Sequence, residues 1–339
     1  MRLWIATALR SAIAAAVALT CASAGAIAEV PVCTGRDVYQ ELKSTKPEAA
    51  GRIDAAAQGT ANAGPLLWKI EKPGVAASHL FGTIHLSDDR ILALPERVKA
   101  ALDGADRVVL EIADLDPSAM AMAIGRNRQL LVAPNGQSLM AALNGEEARK
   151  ARDAVEQAGV PGEALAQLRP WVVTMLMALG PCERRRMAGG RVALDSAIAQ
   201  RARSRSVQVI GLETLDEQLQ AMASVPDDHQ LTMLRAGLAL ADRTEDLMET
   251  LVRLYLDRKI GHVWPLQAEL WASAGFGGEA LASFREALLT RRNKRMLGAA
   301  APLLAKGRSF IAVGALHLSG QDGLVQLLKD QGWQVSPAE

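Results

Sequence analysis

The sequence predicts an α/β protein with a mixed central sheet, paired β-α-β units at the two ends of the chain and a helix-rich middle. Three observations predict this class. Short apolar runs, typical of buried strands, alternate with longer amphipathic stretches that dominate the middle, and one strand-and-histidine pattern occurs near both ends. Hydrophobic residues make up 50% of the 339 residues and charged residues 22%, which is typical of a folded protein.

The first 28 residues have the three parts of a secretory signal peptide. A start that contains two arginines precedes an apolar stretch at residues 13–19, and a small-residue cleavage signal follows at residues 26–28. Cleavage after Ala24 is an alternative, and lipid attachment at Cys21 is disfavoured by Ala18, where that pattern usually has leucine. The sequence therefore predicts export, to the periplasm or out of the cell.

The exported chain divides into two parts. Residues 29–64 are rich in alanine and glycine and poorly patterned, and we expect a loosely packed N-terminal arm. Residues 65–339 contain no low-complexity linker, so we expect a single α/β domain with helical insertions. The longest apolar stretch, residues 171–179, lies between prolines and is far shorter than the roughly 20 residues of a membrane span. We expect no transmembrane segment in the mature chain.

The net charge and the cysteine content limit the possible partners of the protein and bear on the state of its cysteines. Lys and Arg number 38 and Asp and Glu 37, so the near-neutral charge disfavours a nucleic-acid partner. Signal cleavage leaves Cys33 and Cys182, and an oxidising compartment favours a disulfide between them. Two separately buried thiols are the alternative, and neither cysteine has the CxxC partner of a redox or zinc site.

Strand and helix candidates follow from apolar runs and from amphipathic periodicity. The strand candidates lie at residues 66–70, 79–82, 107–111, 207–212, 310–314 and 334–335. The helix candidates lie at residues 95–102, 146–158, 171–179, 192–203, 228–240, 245–257 and 279–297.

An internal repeat points to a site. Two distant apolar strands are each followed by Gly-x-x-His-Leu-Ser, the first with Gly82 and His85 and the second with Gly314 and His317. Ligands of open α/β sheets bind beyond the carboxyl ends of the strands. If the two strands are neighbours, the two histidines converge. A lone histidine at a strand end is more often a hydrogen-bonded structural residue than a ligand, but the repeat favours a shared site.

A carboxylate at a third strand end completes a candidate metal site. Glu111 follows the apolar run at residues 107–110, where an unpaired carboxylate is costly. Imidazoles and a carboxylate suit a divalent Zn, Mn, Co or Fe ion, and three ligands leave a position for water. His85, Glu111 and His317 are therefore the predicted metal ligands.

Two further polar residues interrupt apolar patterns. Arg292 lies on the apolar stripe of the predicted 279–297 helix, where it needs an acidic partner or an outward path. It could orient Glu111, bind a substrate carbonyl or carboxylate, or form a structural salt bridge. Glu213 ends another strand and is a candidate general acid or base, although it could also be an N-terminal helix acid beside a cap at Thr214.

Several short motifs occur in order along residues 66–335. They are Phe81-Gly82-Thr83-Ile84-His85, Glu111 after its strand, Leu194-Asp195, Gly211-Leu212-Glu213-Thr214 with Gln218, Arg292-Asn293 with Met296, and Gly314-Ala315-Leu316-His317-Leu318. Together they resemble the TraB/GumN family, whose wider superfamily includes the Tiki proteins. The resemblance implies an α/β fold with a paired-histidine site and, by analogy with Tiki, metal-dependent hydrolysis of peptide bonds.

The sequence thus favours an exported metal-dependent hydrolase that cleaves peptide or amide bonds in a peptide or small-molecule substrate. Glu111, Glu213 and Arg292 would carry catalytic roles beside the metal ligands. The alternatives are a non-catalytic periplasmic or secreted protein that binds a peptide, metal or haem-like ligand in the same cleft, and a structural envelope protein with an inactive site. HExxH, GxSxG and P-loop motifs are absent, which disfavours other common hydrolases and nucleotide binding.

Overall fold

The computed structural model describes residues 33–113, 117–134 and 137–339, so the predicted signal peptide at residues 1–28 lies outside the described residues. All six strands that the sequence predicts are present, and they form one mixed sheet. The predicted α/β class with a helix-rich middle is therefore confirmed. The strands are β1 (Leu67–Lys72), β2 (Val75–Thr83), β3 (Arg107–Leu110), β4 (Gln208–Gly211), β5 (Ser309–Gly314) and β6 (Gln334–Pro337).

The strand order of the sheet is β4-β3-β5-β2-β1-β6. Strands β4, β3, β5 and β2 run parallel to one another, whereas β1 is antiparallel to both β2 and β6. The turn between β1 and β2 contains Gly74 with φ of +78°, which glycine adopts without steric cost. Such a short connection requires antiparallel pairing, while the long helical connections elsewhere permit parallel pairing.

The two predicted β-α-β units lie side by side through β2 and β5. The Glu96–Asp103 helix connects β2 to β3, and the Leu324–Asp330 helix connects β5 to β6. Across the β2–β5 pair, Thr83 is opposite Gly314, so the two Gly-x-x-His motifs are staggered by one residue. A Cβ atom at Gly82 would lie 3.0 Å from the Cα of Ala315, which explains why glycine is needed at this close approach.

Helices cover both faces of the sheet. Phe81 and Phe310 pack in a buried cluster with Ile198 on one face, and their ring centroids are 6.0 Å apart. Leu80 and Ile311, their neighbours along β2 and β5, pack in a second cluster on the other face. Because both faces are buried, the central strands are continuous apolar runs rather than alternating ones.

Among the described residues, α-helices occupy most of the chain outside the sheet. They are Val38–Thr45, Pro47–Gln58, Asp89–Leu92, Glu96–Asp103, Pro117–Arg126, Arg128–Leu131, Leu139–Ala142, Gly145–Gln157, Pro170–Met177, Pro181–Ala188, Leu194–Ser204, Leu215–Ala223, Asp227–Ala239, Thr244–Leu256, Val263–Ser273, Gly278–Arg285, Arg291–Ala305 and Leu324–Asp330. None of the described helices is long and apolar enough to cross a membrane.

The predicted helix at residues 279–297 is divided by a π-helical turn. The α-helix Gly278–Arg285 passes through the π-turn Glu286–Thr290 into the α-helix Arg291–Ala305. The extra residue per turn in the π-turn rotates the following residues about the helix axis. The apolar stripe expected from the sequence is therefore interrupted at this point. Arg292 and Asn293 are both buried after this turn.

Residues 33–64 differ from the loosely packed arm that the sequence predicts. They contain the helices Val38–Thr45 and Pro47–Gln58, and Tyr39 and Ile53 are buried in a cluster with Leu254. The high alanine content hides the amphipathic pattern of this segment, but alanine also favours helix formation. A few large apolar side chains are enough to pack the two helices against the rest of the protein. The predicted disulfide between Cys33 and Cys182 is confirmed, with Cα atoms 5.7 Å apart.

Candidate functional site

The candidate site lies at the carboxyl ends of the four parallel strands. Each strand delivers one of the side chains that the sequence predicts: His85 follows β2, Glu111 follows β3, Glu213 follows β4 and His317 follows β5. Because these strands are neighbours in the sheet, their four ends meet at one edge. Tertiary pairing therefore brings together residues that are as far apart in sequence as His85 and His317.

Glu111 is at the centre of this arrangement. One carboxylate oxygen, Oε1, lies 3.8 Å from Nε2 of His85 and 3.7 Å from Nε2 of His317. The same oxygen accepts a hydrogen bond of 2.7 Å from the backbone N–H of Gly314. The other oxygen, Oε2, accepts a hydrogen bond of 2.5 Å from Arg292. Glu111 is thus held in place on both oxygens while Oε1 faces the two imidazoles.

The second nitrogen of each histidine has a fixed partner. Nδ1 of His85 is 2.7 Å from Oδ2 of Asp195, and Nδ1 of His317 is 2.6 Å from Oδ1 of Asn293. The Asn293 amide nitrogen donates to the backbone oxygen of Asp322, which assigns its oxygen to the histidine. Both oxygens accept, so each Nδ1 carries a proton, and each ring in its neutral form has the Nε2 lone pair on the side of Glu111.

Oε1 of Glu111 and the Nε2 atoms of the two histidines are three acceptors around one space. Such an arrangement requires a proton or a cation. Burial opposes ionisation of Glu111, but His317, His85 and Arg292 lower its pKa to about 2. Burial lowers the pKa of His317 to about 4. Surrounding protein atoms also oppose a charge on His85, but Asp195 and Glu111 raise its pKa to about 9. These shifts indicate that the site favours positive charge beside the carboxylate.

The space between the three groups is open to solvent on one side. The side chain of His85 is 61% exposed, whereas that of His317 is only 5% exposed. A Cβ atom at Gly314 would lie 3.2 Å from Glu111 Oε1, 3.4 Å from His85 Nε2 and 3.6 Å from His317 Cδ2. The absence of a side chain at Gly314 therefore keeps the space between the candidate ligands free.

The donor set fits a divalent metal ion, with one adjustment. Two ligands that are each about 2.1 Å from a tetrahedral ion are roughly 3.4 Å apart, close to the two histidine-to-glutamate distances. Within the described residues, the ligand atoms that group within 4.8 Å of one another belong to Cys33, Cys182 and Glu245. The His85, Glu111 and His317 atoms thus form a wider set, and the exposed His85 ring must turn inward for both rings to bind one ion.

The group of Cys33, Cys182 and Glu245 does not fit a metal. Both sulfur atoms are joined in the disulfide, and a metal binds the thiolate form of cysteine. Oε1 of Glu245 accepts a hydrogen bond of 2.8 Å from the backbone N–H of Cys182. This arrangement is a structural link in which the carboxylate caps a helix N-terminus.

Arg292 has the acidic partners that its burial demands. Its side chain is 6% exposed and lies between Glu111 and Glu213, with Nη2 at 2.5 and 2.7 Å from their Oε2 atoms. Arg292 therefore orients Glu111, which was one of the roles expected from the sequence. The alternative, in which the Arg292 side chain extends outward to solvent, is wrong. Its position between two carboxylates leaves no free face for a substrate carboxylate.

Glu213 lies in a different environment from the one that a general acid or base needs. Its side chain is 1% exposed, and Arg292 and Arg295 both contact its oxygens. Two guanidinium groups therefore enclose this carboxylate, an arrangement that favours a positioning role over the proton transfer expected from the sequence. The helix after it begins at a capping box formed by Thr214 and Glu217, as the alternative reading of this segment expected.

Three residues of the site had no role assigned from sequence. Asp195 and Asn293 orient the two histidines, and the amide nitrogen of Gln218 lies 3.2 Å from Oε2 of Glu111. All three belong to the motifs that carry the family resemblance, and Asp195 is a carboxylate at the buried start of a helix. The position of Asp195 could have indicated a functional role from the sequence. The histidine or glutamate that each of the three residues contacts is more than 20 residues away, so the sequence did not reveal these pairings.

Comparison with known proteins identifies related chains. The model of the TraB/PrgY/gumN family matches residues 66–337. Uncharacterized protein YbaP of Escherichia coli (strain K12) is 25% identical over 267 residues, which cover 77% of this chain and 90% of YbaP. Metalloprotease TIKI2 of Danio rerio is 24% identical over 318 residues, covering 79% of this chain and 60% of TIKI2. No solved structure is significantly similar to this chain.

Proposed function

The chain belongs to the TraB/PrgY/gumN family, and from this premise we propose that it is an exported metal-dependent hydrolase that cleaves peptide or amide bonds. The observation that carries the proposal is the pair of imidazoles that direct their Nε2 atoms at one oxygen of Glu111. The similarity to Metalloprotease TIKI2 supports peptide-bond chemistry over other uses of a metal.

In this proposal His85, Glu111 and His317 hold a divalent ion, with Zn, Mn, Co and Fe all compatible with two imidazoles and a carboxylate. When bound, such an ion lowers the pKa of a water molecule and polarises the scissile carbonyl. Asp195 and Asn293 keep the two rings in the tautomer that leaves Nε2 free to bind. The exposed edge of His85 is the side from which a substrate approaches.

Arg292 and Glu213 act behind the candidate ligands. Arg292 donates to Oε2 of Glu111 and so directs Oε1 towards the histidines. Glu213 accepts three hydrogen bonds from the Arg292 guanidinium, at 2.7, 2.9 and 3.2 Å, and fixes its plane. Both residues are positioning residues in this mechanism, and a Glu213→Gln variant is expected to lose rate through misplacement of Glu111 while keeping some metal.

Export is part of the proposal. The disulfide between Cys33 and Cys182 is the kind of bond that forms and persists in oxidising compartments. The predicted signal peptide at residues 1–28 would deliver the chain to such a compartment. The test is fractionation of cells that express the full chain, together with N-terminal sequencing of the recovered protein, which is expected to begin at Glu29.

The function is tested by metal analysis and by digestion of a peptide library. We expect about one divalent ion per chain after reconstitution, cleavage that stops on addition of a chelator, and recovery when metal is restored. His317→Gln is expected to lose metal and cleavage, because the buried ligand has no replacement. His79→Gln is the matched control, since His79 lies in β2 away from the candidate ligands and is not at the strand end.

Two outcomes separate hydrolase from binder. Cleavage of a validated substrate by His317→Gln at the wild-type rate would remove the proposed metal mechanism. A wild-type protein that binds one ion or a peptide tightly but cleaves no member of the library would favour the non-catalytic binding protein.

A further inference from the structure

The loop that carries His85 is held by one short segment of the helical middle, residues 183–195, which we call the clamp segment. Each of the four consecutive residues from 85 to 88 contacts it. The contacts are His85 Nδ1 with Asp195 at 2.7 Å, the Leu86 oxygen with the Leu194 N–H at 3.1 Å, the Ser87 N–H with Glu183 at 2.7 Å, and Asp88 with Arg186 at 3.0 Å.

The contacts that Ser87 and Asp88 make with this segment are buried, unlike ion pairs on the protein surface. Ser87, Asp88 and Glu183 are all buried, and the Ser87 N–H donates to a carboxylate that is also 3.7 Å from Arg186. A hydrogen bond between a backbone N–H and a buried carboxylate is charge-assisted and stronger than a neutral one. Loss of the Glu183 side chain would leave the Ser87 N–H without this partner in the interior, whereas Asp88 is held by Arg90 as well as by Arg186.

The disulfide is attached directly to the clamp segment. Cys182 precedes Glu183 in the Pro181–Ala188 helix, and its sulfur is bonded to Cys33 at the start of the described N-terminal part. The residues that follow Cys33 form the Val38–Thr45 helix, whose Val38 and Tyr39 are packed in a core cluster with Leu254. The bond therefore ties the start of the clamp segment to a packed part of the fold.

The two candidate histidine ligands differ in what holds them. His317 is 5% exposed and is fixed by its surroundings, whereas His85 is 61% exposed and depends on the contacts of its loop. We propose that Glu183 and Arg186, anchored by the Cys33–Cys182 disulfide, are positioning residues for His85 and set the metal affinity of the site. The proposal rests on the proposed function, because it assigns His85 as a metal ligand.

Breaking the disulfide is expected to weaken metal binding without unfolding the sheet. Reduction by dithiothreitol transfers two electrons to the sulfur pair, which yields two thiols here and the cyclic disulfide of the reagent. The Glu183 end of the clamp segment then has no covalent anchor, and the position of His85 becomes less defined. Loss of such outer support around a metal ligand typically lowers affinity by 10–100-fold.

The experiment is a titration of metal-free protein with Zn²⁺, in the oxidised wild type and in the Cys33→Ser/Cys182→Ser variant, which breaks the bond without creating thiols that would bind zinc themselves. We expect 10–100-fold weaker binding in the variant, with an unchanged far-UV spectrum. Glu183→Ala is expected to show the same loss, while Glu183→Gln restores most of the affinity because its amide oxygen can accept the Ser87 N–H. A purely structural role of Glu183 would instead change the unfolding free energy and leave zinc affinity unchanged.

A matched arginine pair provides the control. Arg186→Ala removes the contact to Asp88 and is expected to weaken zinc binding, whereas Arg185→Ala alters an exposed neighbour on the same helix and is expected to leave it unchanged. Equal zinc affinity of the wild type and the Cys33→Ser/Cys182→Ser variant, together with wild-type affinity of Glu183→Ala, would overturn the proposal. If the cysteine variant does not fold, the Glu183 and Arg186 variants decide the question.

Hydrogen exchange separates this proposal from the proposed function. The amides of residues 85–88 are expected to exchange faster in reduced protein and in Glu183→Ala than in the oxidised wild type, with or without metal. A wild-type protein that binds no divalent ion would remove the metal mechanism, and the exchange measurement would still test the clamp. Unchanged exchange in this segment would overturn the clamp itself.

Discussion

The pairing of Arg292 with two buried carboxylates makes a quantitative prediction about stability. Its guanidinium lies 2.5 Å from Glu111 and 2.7 Å from Glu213, and all three side chains are at most 9% exposed. Arg292→Met keeps a side chain of similar length but removes the cation, so two carboxylates remain buried and face each other. Removal of one partner from a buried ion pair costs about 3–5 kcal/mol.

The neighbouring Arg295 cannot replace the lost charge. It lies 3.3 Å from Glu213, but its side chain is 43% exposed, and exposed pairs contribute at most about 1 kcal/mol. We therefore expect the full 3–5 kcal/mol loss in the free energy of unfolding, measured by urea titration with circular dichroism. The double variant Arg292→Met/Glu213→Gln removes one of the two orphaned carboxylates and is expected to recover about half of the loss.

Arg291→Met is the control for this prediction. Arg291 precedes Arg292 in the same helix, its side chain is 51% exposed and its nearest acidic group, Glu286, is 4.0 Å away. Its loss is expected to change the unfolding free energy by at most about 0.5 kcal/mol. If Arg292→Met and Arg291→Met unfold at the same urea concentration, or the double variant recovers nothing, the argument from buried charge is wrong.

Three further changes test other parts of the structure. Gly314→Ala adds a Cβ 3.2 Å from a Glu111 oxygen and is expected to weaken zinc binding in a calorimetric titration while leaving the fold intact; unchanged affinity would contradict an ion in that space. Burial raises the pKa of Asp88, but hydrogen bonds from Arg90 outweigh it and lower the pKa to about 2. The ionised group therefore contributes stability above about pH 4 that is lost as the pH falls towards 2, and Asp88→Asn should show a flatter acid limb in unfolding scans. Cys33→Ser opens a bond that spans 149 residues and is expected to cost up to about 5 kcal/mol of unfolding free energy, whereas a loss under 1 kcal/mol in denaturant titrations would refute that expectation.

The elements themselves were largely predictable, because their signals are local. All six strands followed from short apolar runs, and long helices such as Gly145–Gln157, Asp227–Ala239 and Thr244–Leu256 followed from amphipathic periodicity, whereas Leu215–Ala223 and Val263–Ser273 were missed. The π-turn at Glu286–Thr290 and the packed helices of residues 38–58 were not predicted. A π-turn leaves no periodic signature, and an alanine-rich helix shows little contrast between its faces until its partner is known.

The sequence by itself determined which side chains stand at strand ends, because a glycine, a histidine and the preceding apolar run are adjacent in the chain. His85, Glu111 and His317 do follow β2, β3 and β5 in the structure, and the number of cysteines led to the disulfide. Only the tertiary structure decided that β2 and β5 are neighbours, that Arg292 joins two carboxylates and that Glu213 is enclosed by Arg292 and Arg295. These contacts join residues tens to hundreds of positions apart, and such pairings depend on strand order and side-chain packing, which local patterns do not encode.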